Sequence, residues 1–496
     1  MTCVLAIDQG TTGTTCLIVA ADGRVIGRGY REITQFYPQP GFVEHNAHEI
    51  LMHTLAAARE ALSDAWQREH AVPVAIGISN QRETIVLWDR ETGRAVHHAI
   101  VWQDRRTAAR CASLLPNAEM ITRRTGLVTD PYFSATKLEW LLSQGDNAKR
   151  AARGELLAGT IDTWLIWNLT GGEVHATDHT NASRTMLYDI NVRAWNDELL
   201  TLFGVPRALL ADVRPSSGNF GMTRIEHLGI ALPIRGVAGD QQAALFGQGG
   251  WRAGSGKNTY GTGAFLLMNA GGRRPVAREA LLTTIACDAT GNPVFALEAS
   301  IFIAGAAIQW LRDGLKLFSE AADSEVLARS LVGNDGVYFV PALVGLGAPD
   351  WEPGARGTIV GLSRGTTSAH LARAALEAMA FATFDVLGDM RTNCGDDFHV
   401  LRVDGGASGN DWLMQFQADV LGVPVERPDI IETTALGVAG LAGIAAGVWP
   451  DAESFLSARQ FTRFVPGAGR DAAVAAHMGW RRAVRAALFW ARDTGV

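Results

Sequence analysis

The 496-residue chain lacks any concentration of charge of one sign. It has 44 basic and 51 acidic residues, a formal net charge of −7 and a pI of about 6.0. Proteins that bind nucleic acid usually present a basic face, so we expect no nucleic-acid partner. The longest apolar run, 436–449, is rich in glycine and shorter than the ~20 residues that span a bilayer, so we expect no membrane insertion either.

Cysteine is also scarce. The five cysteines are scattered, form no CxxC pair, and show no zinc-ligand spacing with histidine. The chain opens directly into an apolar strand pattern without the basic and apolar regions of a signal peptide. We therefore expect reduced thiols and a cytoplasmic protein. The cysteines are Cys3, Cys16, Cys111, Cys287 and Cys394.

The common nucleotide-binding motifs are missing as well. A P-loop needs GxxxxGK followed by Ser or Thr, whereas Lys257 is followed by Asn258, and Trp251 occupies the place of the first glycine. No GxGxxG motif stands at a strand–helix junction, and the protein-kinase signatures are absent. These absences argue against P-loop, Rossmann and protein-kinase readings.

A different phosphate-binding pattern is present near the N-terminus. Residues 8–13, Asp-Gln-Gly-Thr-Thr-Gly, follow an apolar strand and precede a second one, which predicts a hairpin. The backbone N–H groups of such a turn form a cradle for anionic oxygen, and the hydroxyls of Thr11 and Thr12 add donors. Asp8 at the strand end can hold Mg²⁺, which prefers few carboxylates together with phosphate oxygens.

Two later loops have the same character. Residues 258–263 form a turn in which Thr262 stands between two glycines, and 404–410 places a glycine pair between a strand and a helix. Gly406 lets a base or ribose approach closely, and Asn410 offers hydrogen bonds at the helix start. Each loop alone is also compatible with an ordinary turn; the three in this order favour a nucleotide site.

A helix predicted over 301–318 carries Gly305 and Gln309 on one face, since they are four residues apart. A glycine inside a helix costs up to ~1 kcal/mol relative to alanine. Close approach of a nucleotide would explain it, and so would tight helix packing.

The remaining patterns predict a mixed α/β protein with a Gly/Thr-rich hairpin opening each half. The loop at 247–254 is a candidate hinge, so we divide the chain into domains 1–248 and 249–496. Besides the hairpins, we expect helices over 46–68, 410–421 and 433–447 and strands over 72–79, 85–88, 234–238 and 399–403.

Longer motifs resemble the glycerol kinases, a branch of the carbohydrate kinases with the actin-like ATPase fold. The resemblance covers nearly the whole chain. It is carried by Gly77-Ile-Ser-Asn-Gln-Arg-Glu-Thr, Ala99-Ile-Val-Trp-Gln-Asp-Arg-Arg-Thr, Asp130-Pro-Tyr-Phe-Ser, Gly159-Thr-Ile-Asp-Thr-Trp-Leu, Ala238-Gly-Asp-Gln-Gln-Ala-Ala-Leu-Phe-Gly, Asn258-Thr-Tyr-Gly-Thr-Gly and Leu401-Arg-Val-Asp-Gly-Gly-Ala.

The resemblance implies two actin-like (ribonuclease H-like) domains, each a mixed sheet flanked by helices, closing over a central cleft. It implies ATP-dependent phosphorylation of glycerol with Mg²⁺, and a homo-oligomer, a dimer or tetramer, is compatible with it. The glycerol site it implies is formed by Arg82, Glu83, Trp102, Tyr132, Asp240, Gln241 and Phe265. The nucleotide contacts it implies are Thr11, Thr12, Thr262, Gly305, Gln309, Gly406 and Asn410.

Asp240 is the candidate base, because it lies between a predicted strand and a helix predicted to begin at Gln241. It would accept or orient the proton of the attacking hydroxyl, and with Asp8 it would lie near the metal. The alternative for Asp240 alone is a helix N-cap.

The chain departs from the family pattern at the first turn. Gly13 stands where the family commonly has serine, and Thr15 stands where it has arginine. The loss of that arginine removes a positive charge from the phosphate region.

Two other functions stay open at this point. One is a pentulose or gluconate-type kinase of the same family. The other is an actin-like chaperone or filament ATPase, which would not need the polyol-binding residues.

Overall fold

The computed structural model describes residues 1–275, 281–394 and 398–493. Its first half is built on a five-stranded mixed sheet. The strand Thr2–Gln9 pairs antiparallel with Gly13–Ala20 and parallel with Val72–Asn80. The strand order across the sheet is Ile234–Gly239, Val72–Asn80, Thr2–Gln9, Gly13–Ala20 and Val25–Glu32.

The second half repeats this arrangement in a seven-stranded sheet. Here Gly256–Tyr260 pairs antiparallel with Ala264–Gly271 and parallel with Leu401–Asp404. Each half therefore has a hairpin whose first strand lies beside a parallel strand. The order is Leu282–Cys287, Pro293–Ile301, Ala264–Gly271, Gly256–Tyr260, Leu401–Asp404, Val425–Pro428 and Phe461–Phe464.

Helices cover both faces of the first sheet, which is why its central strand is apolar without alternation. Cys3, Leu5 and Ile7 point to the side covered by helix Ala47–Glu69. Val4 and Ala6 point to the opposite side, where helix Thr433–Ala445 packs. Asn46 caps the first of these helices by accepting from the N–H groups of His48 and Glu49.

The second sheet packs against long helices in the largest core cluster of the described chain. These helices are Gly305–Asp313, Asp323–Arg329, Ser368–Cys394, Asp411–Leu421 and Arg470–Arg492. A further four-stranded sheet in the first half contains Glu44–His45, Ala99–Ile100, Ile85–Asp89 and Leu156–Thr160.

Short elements complete the described chain. The helices are Ala108–Ser113, Leu115–Asn117, Ala118–Thr125, Ser134–Leu142, Asn147–Ala152, Ile161–Leu169, His179–Ala182, Asp197–Leu202, Arg207–Leu209, Ile225–Leu228, Asp240–Gly247, Gly406–Gly409 and Ala452–Ser457. The strands are Ala176–Asp178, Tyr188–Asp189, Ala194–Trp195, Asp212–Arg214, Tyr338–Val340 and Thr358–Val360.

The predicted mixed α/β fold with two helix-flanked sheets is confirmed, but the helix predicted over 301–318 is wrong at both ends. Ile301 ends the strand Pro293–Ile301, and the helix runs only over Gly305–Asp313. Short apolar runs do not distinguish strand from helix, and this one continues the strand. Gly305 is therefore the first residue of its helix, where the mid-helix penalty does not apply.

The division into domains 1–248 and 249–496 stays a prediction. The helix Thr433–Ala445 belongs to the second half by sequence, yet it packs on the first sheet and on helix Asp240–Gly247. The two halves are thus joined by a core contact as well as by the loop after Gly247.

Candidate active site

A buried polar segment, residues 80–83, leaves the carboxyl end of strand Val72–Asn80. Arg82 is 3% exposed and Glu83 is 1% exposed. Glu83 has a φ of 64°, a left-handed backbone that costs a residue other than glycine about 1 kcal/mol or more. Buried charge on a strained loop marks this segment as a candidate site.

Two arginines and two glutamates meet at this loop. Arg82 Nη1 donates to Glu298 Oε2 at 2.6 Å, and Arg82 Nε lies 3.7 Å from Glu83 Oε1. Arg184 closes the ring by donating from Nε to Glu83 Oε1 at 2.6 Å and from Nη2 to Glu298 Oε1 at 2.9 Å. The opposite charges balance one another, as burial requires.

The electrostatics of this ring keep Glu298 ionised. Burial by itself would raise the pKa of Glu298, but Arg184 and Arg82 outweigh it and lower the pKa to about 2. Burial raises the pKa of Glu83, and the same two arginines oppose that rise.

Arg184 and Glu298 were missed by the sequence analysis. Glu298 interrupts the apolar strand Pro293–Ile301 and lies opposite Leu267 and Leu282. A lone acid in such a strand was a usable signal, because a buried carboxylate needs a cationic partner. Arg184 follows a short helix in a polar stretch and carried no comparable signal.

Asp240 lies beside Arg82 because their elements are neighbours. The strand Ile234–Gly239 pairs parallel with Val72–Asn80, so the residues after both strands emerge at one edge of the sheet. Arg82 Nε lies 3.2 Å from Asp240 Oδ1. The helix begins at Asp240 and not at Gln241, and Asp240 Oδ1 accepts from the Gln241 N–H at 2.6 Å. A Cβ on Gly239 would lie 2.7 Å from Arg82 Cγ, so glycine makes the approach feasible.

Aromatic side chains border the same charges. Tyr132 Oη accepts from Arg82 Nη2 at 3.4 Å, and its ring meets Trp102 edge-on with centroids 5.5 Å apart. Phe265 comes from the second sheet, two positions before Leu267, which is paired with Glu298. Side chains two apart on a strand share a face, so Phe265 lies on the face that carries Glu298.

Gln241 is linked to the second half by a buried lysine. Lys257 is 1% exposed and donates to Gln241 Oε1 and, at 2.6 Å, to Thr259 Oγ1. Burial lowers the pKa of Lys257, while the charges of Asp404 and Asp240 oppose that shift. In the sequence, Lys257 stands out only because it fails the P-loop pattern, and no local signal indicates this contact.

The predicted nucleotide residues of the first half lie at the turn between strands Thr2–Gln9 and Gly13–Ala20. The Gly10 N–H donates to the Gly13 carbonyl at 2.9 Å. Thr11 Oγ1 accepts from Trp102 Nε1 at 2.9 Å, and Thr12 is exposed. Thr11 therefore links the turn between strands Thr2–Gln9 and Gly13–Ala20 to the Trp102 side chain.

Two of the predicted nucleotide residues of the second half, Thr262 and Gly305, lie where the turn at 261–263 meets the start of helix Gly305–Asp313. The Thr262 carbonyl accepts from the Ala304 and Ala306 N–H groups at 2.8 and 3.1 Å, and the Gly305 N–H donates to the Gly261 carbonyl at 3.0 Å. A Cβ on Gly305 would lie 2.6 Å from the Gly261 oxygen, so tight packing explains this glycine.

The other second-half residues stand at neighbouring positions. Gln309 is exposed one helical turn after Gly305, and Gly406 is exposed at the start of the short helix Gly406–Gly409, which follows strand Leu401–Asp404. Asn410 caps the next helix, with Oδ1 accepting from the Leu413 N–H at 2.9 Å. The side-chain carbonyl oxygen of Asn410 therefore caps a helix, whereas the sequence was interpreted only in terms of a nucleotide contact at this residue.

Asp8 and Asp240 form a carboxylate pair suited to a cation. Burial, and then the charge of Asp240, raise the pKa of Asp8 to about 7. No group of three metal-ligating side chains is found in the described ranges. Mg²⁺ prefers a small number of carboxylates together with phosphate oxygens, so the chemistry of these two residues fits the ion.

Comparison with known proteins decides the family. Residues 3–247 match the N-terminal domain, and residues 256–446 the C-terminal domain, of the FGGY family of carbohydrate kinases. The chain belongs to the FGGY family of carbohydrate kinases.

Individual FGGY relatives extend this result. The chain is 53% identical to a glycerol kinase of Halorhodospira halophila over 495 residues, covering 99% of this chain and 97% of the relative. It is 50% identical to one from Thermus thermophilus, covering 98% and 99%.

Solved structures of carbohydrate kinases share the fold of this chain. The structure matches that of Plasmodium falciparum glycerol kinase with ADP at a TM-score of 0.93 and 33% identity, with 98% of each chain covered. A xylulose kinase from Lactobacillus acidophilus shares the fold at a TM-score of 0.85 and 21% identity, covering 98% of each chain.

The departure of this FGGY chain at Gly13 has a steric explanation. A Cβ on Gly13 would lie 2.7 Å from Tyr30 Oη and 2.6 Å from the Arg31 carbonyl oxygen. A serine at this position would collide with the Arg31 backbone carbonyl as well as with Tyr30, so the close approach of the neighbouring strand favours glycine. Thr15 pairs with the same Tyr30 across the hairpin.

Within the described ranges of this FGGY chain, none of the helices is both long and apolar enough to serve as a membrane span.

Proposed function

We propose that this protein transfers the terminal phosphoryl group of ATP to a primary hydroxyl of glycerol, giving sn-glycerol 3-phosphate. The observation that carries the proposal is the buried Arg82–Glu83 pair, placed beside Asp240 and bordered by Tyr132 and Trp102. Relatives at 50–53% identity that are named glycerol kinases support it.

Arg82 and Glu83 suit a small triol. Each glycerol hydroxyl both donates and accepts, whereas a guanidinium only donates and a carboxylate only accepts. Together they can hold two neighbouring hydroxyls. Removing one hydroxyl from the substrate would leave a buried polar group without that hydrogen bond, which makes such a site selective. Trp102, Tyr132 and Phe265 would then enclose the carbon chain.

Asp240 is the proposed base. Its Oδ1 lies 3.2 Å from Arg82 Nε, so a hydroxyl held by Arg82 would stand within reach of the same carboxylate. Phosphoryl transfer passes through a loose transition state, so orienting the hydroxyl in line with the phosphorus matters more than strong basicity. Asp240 thus aligns the nucleophile and accepts its proton.

The nucleotide would lie between the two turns. The ADP in the solved Plasmodium falciparum relative supports adenine nucleotide use by this chain. Thr11 and Thr12 from the first half and Thr262 from the second would contact phosphates. Gly305, Gln309, Gly406 and Asn410 would surround the nucleoside.

Asp8 and Asp240 would hold Mg²⁺, directly or through water. The ion would neutralise phosphate charge when bound. Burial, and then the charge of Asp240, raise the pKa of Asp8, and a bound cation would stabilise its carboxylate against both effects.

A cytoplasmic location and a dimer or tetramer form part of the same proposal. The free and buried thiols of Cys3, Cys16, Cys111 and Cys287 support a reducing compartment.

The test is ADP release by purified protein over a substrate panel of glycerol, 1,3-propanediol, xylulose and gluconate. We expect glycerol to give the highest kcat/KM, and 1,3-propanediol, which lacks the central hydroxyl, to fall by orders of magnitude. Faster turnover of xylulose or gluconate would overturn the choice of substrate. Nucleotide-dependent polymerisation without turnover of any polyol or sugar would overturn the choice of class.

A further inference from the structure

A buried histidine lies behind the first turn and has no place in the chemistry described so far. His45 ends the short strand Glu44–His45 and is 0% exposed. Its Nε2 lies 2.8 Å from Gln35 Oε1, and its Nδ1 lies 3.3 Å from Gln81 Nε2. Both glutamines in turn contact the backbone of the phosphate turn.

The contacts of Gln35 determine the tautomer of His45. Gln35 Nε2 donates to the Thr11 carbonyl at 2.8 Å and to the Ile33 carbonyl at 3.3 Å. Gln35 therefore presents its carbonyl oxygen to His45, and His45 Nε2 must carry the hydrogen. In a neutral imidazole Nδ1 is then a bare acceptor, which matches the NH₂ group that Gln81 presents to it.

The side-chain amide of Gln81 has the opposite orientation to that of Gln35, because it presents its nitrogen and not its oxygen to His45. Thr84 Oγ1 donates to Gln81 Oε1 at 3.0 Å, so the amide nitrogen of Gln81 faces the turn. That nitrogen donates to the Gly10 carbonyl at 3.3 Å and to Gln9 Oε1 at 3.1 Å. Every donor in this buried network thus meets an acceptor.

These tethers set the direction of two N–H groups. The Gly10 carbonyl and the Thr11 N–H belong to one planar trans peptide, as do the Thr11 carbonyl and the Thr12 N–H, and the two bonds of such a unit point in opposite directions. Holding both carbonyls toward the interior therefore turns both N–H groups outward. Among the described residues, no protein acceptor is found for either N–H.

We propose that His45 is a positioning residue for phosphoryl transfer, which locks Gln35 and Gln81 so that the N–H groups of Thr11 and Thr12 face the phosphates. The inference rests on the function proposed above. The same network reaches Trp102, which borders the proposed glycerol site. Thr84 Oγ1 also accepts from the backbone N–H of Trp102 at 3.2 Å.

The surroundings of His45 keep the required neutral form. Burial lowers its pKa to about 4, and the nearby His98 acts in the same direction while Glu49 opposes it. At neutral pH the ring is therefore an acceptor at Nδ1 and a donor at Nε2.

Three substitutions separate the two contacts. His45→Phe keeps a buried ring and removes both. His45→Asn retains an acceptor near the Nδ1 position, and His45→Gln retains a donor near the Nε2 position. With one hydrogen bond corresponding to about fivefold, we expect kcat/KM for ATP to fall about fivefold in each single-contact variant and about 25-fold in His45→Phe.

The matched control is His175→Phe. His175 belongs to the same half, donates from Nε2 to the Ala158 carbonyl at 3.1 Å, and packs against Trp88 and Trp167. We expect it to lower the melting temperature without changing KM for ATP.

The decisive measurement is how the kinetic constants for ATP differ among the variants. The inference requires KM or kcat for ATP to change in the order His45→Phe, then the two single-contact variants, then wild type. It is overturned if His45→Phe retains wild-type kcat/KM for ATP, or if its loss equals that of His175→Phe. Should His45→Phe fail to fold, the Asn and Gln variants decide by the same criterion.

The two proposals fail in different ways. A wild-type protein that does not phosphorylate glycerol overturns the proposed function. An active wild type whose His45 variants are unchanged overturns only the positioning role.

Discussion

Glu298→Gln tests the central claim that the buried arginines Arg82 and Arg184 are held by a residue from the other half of the chain. The substitution keeps the volume and one acceptor oxygen but removes the charge opposite Arg82 and Arg184, which lie 2.6 and 2.9 Å away. Only Glu83 would then balance two buried guanidinium groups within the ring.

The size of the effect follows from the pKa. The arginines outweigh burial and lower the pKa of Glu298 from 4.5 to about 2, and each pKa unit corresponds to about 1.4 kcal/mol. We therefore expect a loss of about 3 kcal/mol at pH 7, the range found when buried ion pairs are broken. For a cooperative unit of about 200 residues this is a fall in Tm of roughly 6–12 °C.

The pH dependence has a definite sign. A carboxylate whose folded pKa is depressed stabilises the folded state above its unfolded pKa and loses that contribution as the pH falls through the folded value. The Tm difference between wild type and Glu298→Gln should be full above about pH 5 and shrink between pH 4.5 and 2.

The assay is thermal unfolding with a matched exposed pair. Glu173 lies 2.6 Å from Arg224, the same distance, but both side chains are about half exposed. Exposed pairs contribute about 0–1 kcal/mol, so Glu173→Gln should leave Tm nearly unchanged. Equal Tm values for the two variants would refute the assignment of Glu298 as the anchor of both arginines.

Three further substitutions test other parts of the site. Asp240→Asn should remove most of kcat while ADP affinity stays within about twofold, and retention of more than about a tenth of kcat would exclude Asp240 as the base. Trp102→Phe loses the donor to Thr11 Oγ1, so KM for ATP should rise about fivefold with little change for glycerol. Asp162→Asn should be less destabilising at pH 8 than at pH 5, since burial raises the pKa of Asp162 from 3.8 to about 7 and the wild type loses stability as the pH rises between those values; the opposite trend in Tm would contradict it.

Local pattern was sufficient for the elements that carry the first-half site. The apolar run before Asp8 and the Asp-Gln-Gly-Thr-Thr-Gly turn predicted the hairpin, and the structure places Thr2–Gln9 and Gly13–Ala20 on either side of it. The family resemblance, and not local pattern, implied that Arg82 and Asp240 share a site, and they meet because strands Val72–Asn80 and Ile234–Gly239 are parallel neighbours. Two neighbouring parallel strands bring the residues that follow them to the same edge of the sheet.

Long-range partners could not be predicted in this way. Arg82 and Glu298 are 216 positions apart, and the contact depends on how the second sheet faces the first. Lys257 and Gln241 meet across the same boundary. No local pattern encodes which acid faces which base when two sheets meet, although a single buried charge in an apolar strand shows that a partner must exist.

This distribution of contacts has a consequence for selectivity. Arg82 is supplied by the first half, but its strongest partner, Glu298, is supplied by the second. The ion pairs that hold the proposed substrate-binding Arg82 are therefore complete only when the halves are together. A substrate analogue that lacks one of the hydroxyls would lose a hydrogen bond in the assembled site, so discrimination would depend on residues that both halves hold in place.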